Sequence, residues 1–95
     1  ADFDLNGVRT KLKTLSGIRD QAEDGMSAAI SNRILDARGQ SGTVVIDARQ
    51  QPGMTLAAAE RALDRALVAD DKATGGPKLV EVTVLTPSGN SHRVR

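Results

Sequence analysis

The chain of 95 residues contains no cysteine, no tryptophan and no tyrosine, and only one phenylalanine. Without cysteine the protein can form neither disulfides nor thiolate metal sites. Without a set of aromatic rings it lacks the usual platform on which proteins stack the bases of single-stranded nucleic acid. A domain of this length buries one modest core, which must be built from Leu, Val, Ile, Ala and Met.

An excess of one charge is also missing, because 13 Lys and Arg face 12 Asp and Glu. This balance excludes a general basic coat for nucleic acid and leaves only a local patch for such contacts. No apolar run reaches membrane-spanning length, and no signal peptide is recognisable. The chain starts with Ala1 instead of Met, and we expect residues 1–95 to be a single domain excised from a longer protein.

Residues 1–38 show helical periodicity. Four apolar residues recur with the spacing of one helix face, namely Leu5, Val8, Leu12 and Leu15. We predict a helix that is capped by Asp4 and ends at Asp24-Gly25. A second helix is predicted over residues 27–37, with Ser27 as its cap.

Residues 43–95 predict the element order β-α-β-β. The β-branched run at 43–47 is typical of a buried strand, and Thr55 caps an amphipathic helix. Alternation over 79–85 predicts a half-buried strand, and a hairpin returns the chain as an edge strand over 91–95. The expected fold class is α+β: N-terminal helices, then a small, mainly antiparallel sheet with one further helix packed on it.

Two candidate catalytic residues stand at the end of the first predicted strand. Asp47 closes the apolar run and shares a strand face with Arg49. A desolvated carboxylate has a raised pKa, which suits acid–base chemistry. Alternatively, the two residues form an ion pair that orients the end of the strand.

The outer face of the helix after Thr55 carries like charges four residues apart. Glu60 is followed by Asp64, and Arg61 by Arg65, and such pairs are mildly destabilising. Two arginines one turn apart can hold a phosphate group. The alternatives are a solvated face or a surface for a protein partner.

His92, the only histidine, lies in the last predicted strand on the same face as Val94. Histidine titrates near neutrality and can act as a general acid or base, although a lone histidine in a terminal strand is more often structural. One histidine and scattered carboxylates show no metal-ligand spacing, so neither a metal nor a cofactor is expected. The chain also has no GxxxxGK[ST] phosphate loop and no nucleophile elbow.

The stretch GTVVIDARQQPGMT at 42–55, with AERA at 59–62 and Arg65-Ala66, resembles the C-terminal domains of CdiA-type and related polymorphic bacterial toxins. In that family a strand ending in Asp-x-Arg leads through a Gly-containing turn into an Ala-rich helix bearing Glu-Arg. The run NRILD at 32–36 also fits, so that the resemblance covers about residues 32–85.

The resemblance implies an endoribonuclease, commonly a tRNase, of contact-dependent growth inhibition. Such a domain is delivered on a large surface-exposed protein, acts in the cytoplasm of the target cell and is blocked by a cognate immunity protein. A host helper factor is a further candidate partner. The family's residues carry over to Asp47, Arg49, Glu60, Arg61 and Arg65.

The chain departs from the metal-dependent toxins of this class, because Glu81 is followed by Val82-Thr83 and no Glu-x-Lys is present. We therefore expect a metal-independent mechanism, in which an RNA 2′-hydroxyl attacks its own phosphate. The predicted catalytic residues are Asp47, Arg49 and His92, and the predicted substrate-binding residues are Arg61, Arg65, Glu60 and Lys78.

Two non-enzymatic interpretations stay open. A protein-interaction or regulatory domain is favoured by the near-zero net charge and by the sheet edge that residues 91–95 would offer for strand addition. An immunity protein or another small cytosolic factor is the third possibility. Toxicity on expression separates a nuclease from both.

Overall fold

The computed structural model describes residues 2–5 and 8–95, with side chains from Val8 onward. Its elements in chain order are β1 (Asp2–Leu5), β2 (Val8–Thr14), α1 (Glu23–Ala37), β3 (Thr43–Asp47), α2 (Leu56–Lys72), β4 (Glu81–Thr86) and β5 (Gly89–Val94). The strands form one sheet in the order β1-β2-β3-β4-β5. The outer pairs are antiparallel, whereas β3 runs parallel to both of its neighbours.

The prediction of a first helix from Asp4 to Asp24-Gly25 is wrong, because Asp4 lies in β1, residues 8–14 form β2 and residues 15–22 are not helical. β1 and β2 pair antiparallel, and β2 then pairs in parallel with β3. Four apolar residues over three helical turns suit one helix face, but strand pairing with a segment some thirty residues later decides the conformation. The sequence between the two strands is Asn6-Gly7, a dipeptide that favours a hairpin and that the sequence analysis overlooked.

The second predicted helix is confirmed as α1, but its beginning lies four residues earlier. Its N-cap is Ala22, which makes no side-chain capping bond. Asp24 lies in the first turn, where a negative charge meets the positive end of the helix dipole. Asp24-Gly25 is therefore part of the start of a helix and not the end of one, and Ser27 is buried within α1 instead of capping it.

The predicted β-α-β-β order of the second half is confirmed. The Thr55 hydroxyl accepts a hydrogen bond from the Ala58 amide at 3.1 Å and caps α2 as expected. The prediction of a mainly antiparallel sheet is wrong, because two of the four strand pairings are parallel. A helix between neighbouring strands carries the chain back to the edge of the sheet where it started, so α1 and α2 each join a parallel pair.

The core lies between the two helices and one face of the sheet. Val44 and Ile46 of β3 and Val82 and Val84 of β4 are buried against apolar residues of α1 and α2. In the described part of the chain no helix covers the other face. We call it the open face; its residues include Thr10, which is buried, and Leu12, Thr14, Thr43, Val45, Asp47, Glu81, Thr83, Leu85, Asn90, His92 and Val94.

Neither helix of the described residues is long and apolar enough to cross a membrane.

Candidate functional site

The histidine lies on the open face in β5 and contacts a carboxylate of β4. His92 is the register partner of Thr83, so Glu81 is its diagonal neighbour two residues along the strand. Nε2 of His92 lies 2.7 Å from Oε2 of Glu81, and both side chains are a little under half exposed. An ionised carboxylate can only accept a hydrogen bond, so Nε2 carries a proton in this contact and Nδ1 is left for a ligand.

At the end of β3 on the same face, Asp47 and Arg49 form a bidentate ion pair. Nε and Nη2 of Arg49 each lie 2.9 Å from a carboxylate oxygen, and the Arg49 amide also donates to Oδ1. These hydrogen bonds outweigh partial desolvation and hold the pKa of Asp47 below its ordinary value. The ion-pair interpretation is confirmed, and the raised pKa of a desolvated acid is not found.

Asp47 and His92 share the open face but do not form one cluster. Asp47 pairs with Leu85, whereas His92 lies in the row of Val45 and Thr83. Two strand spacings across the sheet and two residues along it separate their Cα atoms by roughly 12 Å. A single phosphate group cannot contact both side chains, but a nucleic acid strand lying along the face can.

The predicted arginine pair lies in the helix layer, so the sheet separates it from the open face. Arg61 Nη2 and Arg65 Nη1 lie 2.7 and 3.2 Å from the same oxygen of Asp24, and Arg65 also donates to the Ser27 hydroxyl. The two arginines of α2 are therefore explained by the acidic first turn of α1. Arg61 and Arg65 could bind RNA only if the RNA also contacts the helix side of the sheet.

The two other predicted substrate ligands are exposed. Glu60 lies on the outer side of α2 and makes no hydrogen bond or ion pair with another described side chain. Lys78 precedes β4, and its backbone amide donates to the buried carboxylate of Asp70. The structure does not bring Glu60 to the open face, and Lys78 lies three residues before Glu81, at the end of the sheet where β4 begins.

Sequence reasoning missed Glu81 as a site residue. It was considered only for a Glu-x-Lys metal motif, which the chain lacks. The register of the predicted hairpin could have identified it, because a two-residue connection at 87–88 places His92 opposite Thr83. Since side chains two residues apart share a strand face, Glu81 then falls beside the histidine.

Among residues 2–5 and 8–95, no three His, Asp or Glu side chains are grouped so that they could hold a metal ion.

Comparisons with protein-family models, with curated proteins and with solved structures each find no match to this chain. Function is therefore inferred from the geometry of the open face and from the resemblance of the strand–turn–helix segment.

Proposed function

We propose that this chain is a metal-independent endoribonuclease domain of the contact-dependent toxin class, with its active centre on the open face. The observation that carries the proposal is the 2.7 Å contact between His92 and Glu81. It supplies a titratable base, a carboxylate to orient it and stabilise its protonated form, and an unobstructed approach for a polymer.

The chemistry needs one proton to move twice. Nδ1 of His92 takes the proton of an RNA 2′-hydroxyl while the 2′-oxygen forms a bond to the adjacent phosphorus. The bond from phosphorus to the 5′-oxygen then breaks, and the imidazolium returns the proton to that leaving oxygen. The products are a 2′,3′-cyclic phosphate and a 5′-hydroxyl, and Glu81 stabilises the imidazolium between the two transfers.

Arg49 is the proposed ligand for a second phosphate along the strand. Its side chain is 58% exposed and its guanidinium is held in place by Asp47, so its remaining N–H groups can donate to a phosphate oxygen. In this arrangement Asp47 orients Arg49 and does not transfer protons. The three predicted catalytic residues then contact one RNA strand at two places: His92 at the bond that is cut, and Arg49, oriented by Asp47, at a second phosphate.

The substrate and the biological setting come from the sequence resemblance. We propose tRNA as the substrate, delivery into neighbouring bacteria as part of a large surface protein, and inhibition by a cognate immunity protein. A shortage of aromatic residues is compatible with RNA recognition by shape and backbone instead of base stacking.

The test is a cleavage assay with purified chain and total bacterial tRNA, with and without EDTA. We expect discrete fragments in both conditions, ending in a 2′,3′-cyclic phosphate. His92→Ala should lower the rate by about a hundredfold or more, whereas Asp71→Ala, at an exposed position of α2 on the helix side of the sheet, should leave it unchanged. Intact RNA in every lane, even with added cell extract to supply a helper, would reject the proposal.

A protein-interaction domain is the second candidate, favoured by the edge of the sheet. Among the described residues β5 pairs only with β4, and Val94 at its end is 64% exposed. An extended segment of a partner could add to this edge. Expression in bacteria separates the two candidates: only the nuclease predicts that the wild-type chain is toxic and that His92→Ala removes the toxicity.

A further inference from the structure

A positively charged cleft lies along β2, near the opposite edge of the sheet from His92. It has a volume of about 410 Å³ and is lined by Lys11, Leu12, Lys13, Thr14, Leu15 and Arg33. α1 packs on β3, and α2 packs on β4 and β5. The side of β2 that faces the helices is therefore not covered by the main packing of either helix. Arg33 of α1 lines the cleft beside it.

Lys11 and Lys13 of β2 occupy positions that would normally be apolar. Lys11 is the register partner of Val44, and Lys13 is the register partner of Ile46. Both partners are completely buried in the core. A sheet with parallel strands is usually covered on this face by apolar packing, so partly buried lysines here indicate a surface that meets a charged ligand.

Two cations of the cleft have no partner among the described residues. Arg33 is exposed and Lys13 is partly buried, and neither is in a hydrogen bond or ion pair with a described side chain. Lys11 lies opposite Asp2 in the register of β1, so the binding argument rests on Lys13 and Arg33. Unneutralised charges that line one cleft repel each other unless an anion occupies it.

The chemistry of the two cations suits a phosphate group. The guanidinium of Arg33 presents a planar set of donors that suits a phosphate group.

We propose that this cleft binds the sugar-phosphate backbone of an RNA strand through Lys13 and Arg33, outside the cleavage centre. The choice of RNA rests on the proposed function. Because β3 and β4 lie between the cleft along β2 and His92 in β5, the contact holds a folded RNA at a distance from the bond that is cut. It provides affinity and contributes nothing to the chemical step.

The experiment measures RNA binding separately from cleavage. His92→Ala serves as the parent, so that the RNA stays intact, and the probe is a short fluorescein-labelled single-stranded RNA followed by anisotropy at several salt concentrations. Lys13→Gln and Arg33→Gln should each weaken binding about threefold and reduce the slope of log Kd against log salt by about 0.7. Circular dichroism and thermal melting should match the parent.

The matched control is Lys72→Gln, which removes the same charge from an exposed position at the end of α2. It should leave both Kd and the salt slope unchanged. If it weakens binding as much as Lys13→Gln, or if no RNA binds, the cleft proposal is wrong. A polyglutamate competitor that displaces RNA equally well would point instead to an acidic protein partner and would also overturn it.

The two proposals fail separately. If the wild-type chain does not cut RNA but binds it through Lys13 and Arg33, the cleavage proposal is wrong and the cleft proposal stands. If the chain cuts RNA and the two cleft variants bind and cut like the wild type, only the cleft proposal is wrong.

Discussion

Arg38, which follows α1, donates from Nε to Oδ1 of Asp70 in α2 across 2.5 Å. Asp70 is completely buried, and its oxygens also accept the backbone N–H groups of Lys78 and Leu79. One carboxylate thereby joins the ends of both helices to the segment that leads into β4. We infer that these hydrogen bonds of Asp70 make a large polar contribution to the stability of the fold.

Asp70→Ala should lower the free energy of unfolding by about 3–5 kcal/mol, because it leaves Nε of the partly buried Arg38 and two backbone N–H groups without their acceptor. Asp71→Ala is the matched control: Asp71 is exposed and its ion pair with Arg95 lies at the surface, so its loss should cost about 1 kcal/mol or less. Urea unfolding followed by circular dichroism measures both. Equal losses of unfolding free energy in Asp70→Ala and Asp71→Ala would show that the buried contacts of Asp70 add no special stability.

The same carboxylate makes stability depend on pH. Desolvation by burial raises the pKa of Asp70, but the hydrogen bonds from Leu79, Arg38 and Lys78 outweigh it and leave the pKa below the ordinary value of 3.8. A lowered pKa in the folded state stabilises the fold above the unfolded-state pKa. We expect this stabilisation to be lost as the pH falls from about 4, and urea titrations from pH 6 downward should show a steeper loss than in Asp70→Asn.

Gln51 should contribute to stability through the loop that precedes α1. Its Oε1 accepts the Ile18 amide at 2.8 Å and its Nε2 donates to the Ile18 carbonyl at 2.9 Å, much as a strand neighbour would. Gln51→Ala should cost about 1–3 kcal/mol, because it leaves these backbone groups unsatisfied. Gln50→Ala, at an exposed position, should stay within about 0.5 kcal/mol of the wild type in the same unfolding assay.

Gly53 is required by its backbone conformation and by its neighbour. Its φ is +78°, and a Cβ would approach the Gln21 side chain to 2.9 Å. Gly76 has a similar φ of +80° with nothing near a Cβ, and Gly39 has neither constraint. Thermal melts should therefore rank the alanine variants, with Gly39→Ala near neutral, Gly76→Ala destabilised by about 1 kcal/mol and Gly53→Ala by more. Equal losses of stability in Gly53→Ala and Gly76→Ala would show that the clash with Gln21 adds no cost.

Glu81 and His92 should behave as one unit in RNA cleavage. Glu81→Gln keeps the shape but removes the charge that stabilises the imidazolium, so kcat should fall about tenfold or more with little change in KM. The double variant with His92→Ala should be no slower than His92→Ala alone, because the carboxylate acts only through the ring. Additive losses in a double-mutant cycle would assign Glu81 a separate role.

Local chemistry predicted the second half of the fold well. The Thr55 cap, the β-branched run of β3 and the alternation of β4 each depend on neighbours within a few residues, and the structure confirms all three elements. The face assignments in β5 are also confirmed, since His92 lies on the open face while Arg93 and Arg95 turn towards α2.

The candidate site could be predicted only in part. The sequence indicated His92 and the Asp47–Arg49 pair, because each is unusual at its place in a strand. It gave no reason to join Glu81 to the histidine, since that contact depends on hairpin register. Nor could it show that Arg61 and Arg65 meet Asp24, which is about forty residues away, because such contacts arise only when α1 and α2 pack together.

By itself the sequence determined that the protein has a small, cysteine-free core of aliphatic side chains, a capped second helix and a C-terminal hairpin, because composition and short-range pattern control these features. Tertiary structure alone decided that residues 8–14 form a strand, that the centre of the sheet is parallel, and that no helix of the described residues covers the open face. Each of these depends on backbone pairing between segments far apart in the chain. That pairing overrides a helical spacing in β2, whose conformation is set by its neighbours in the sheet.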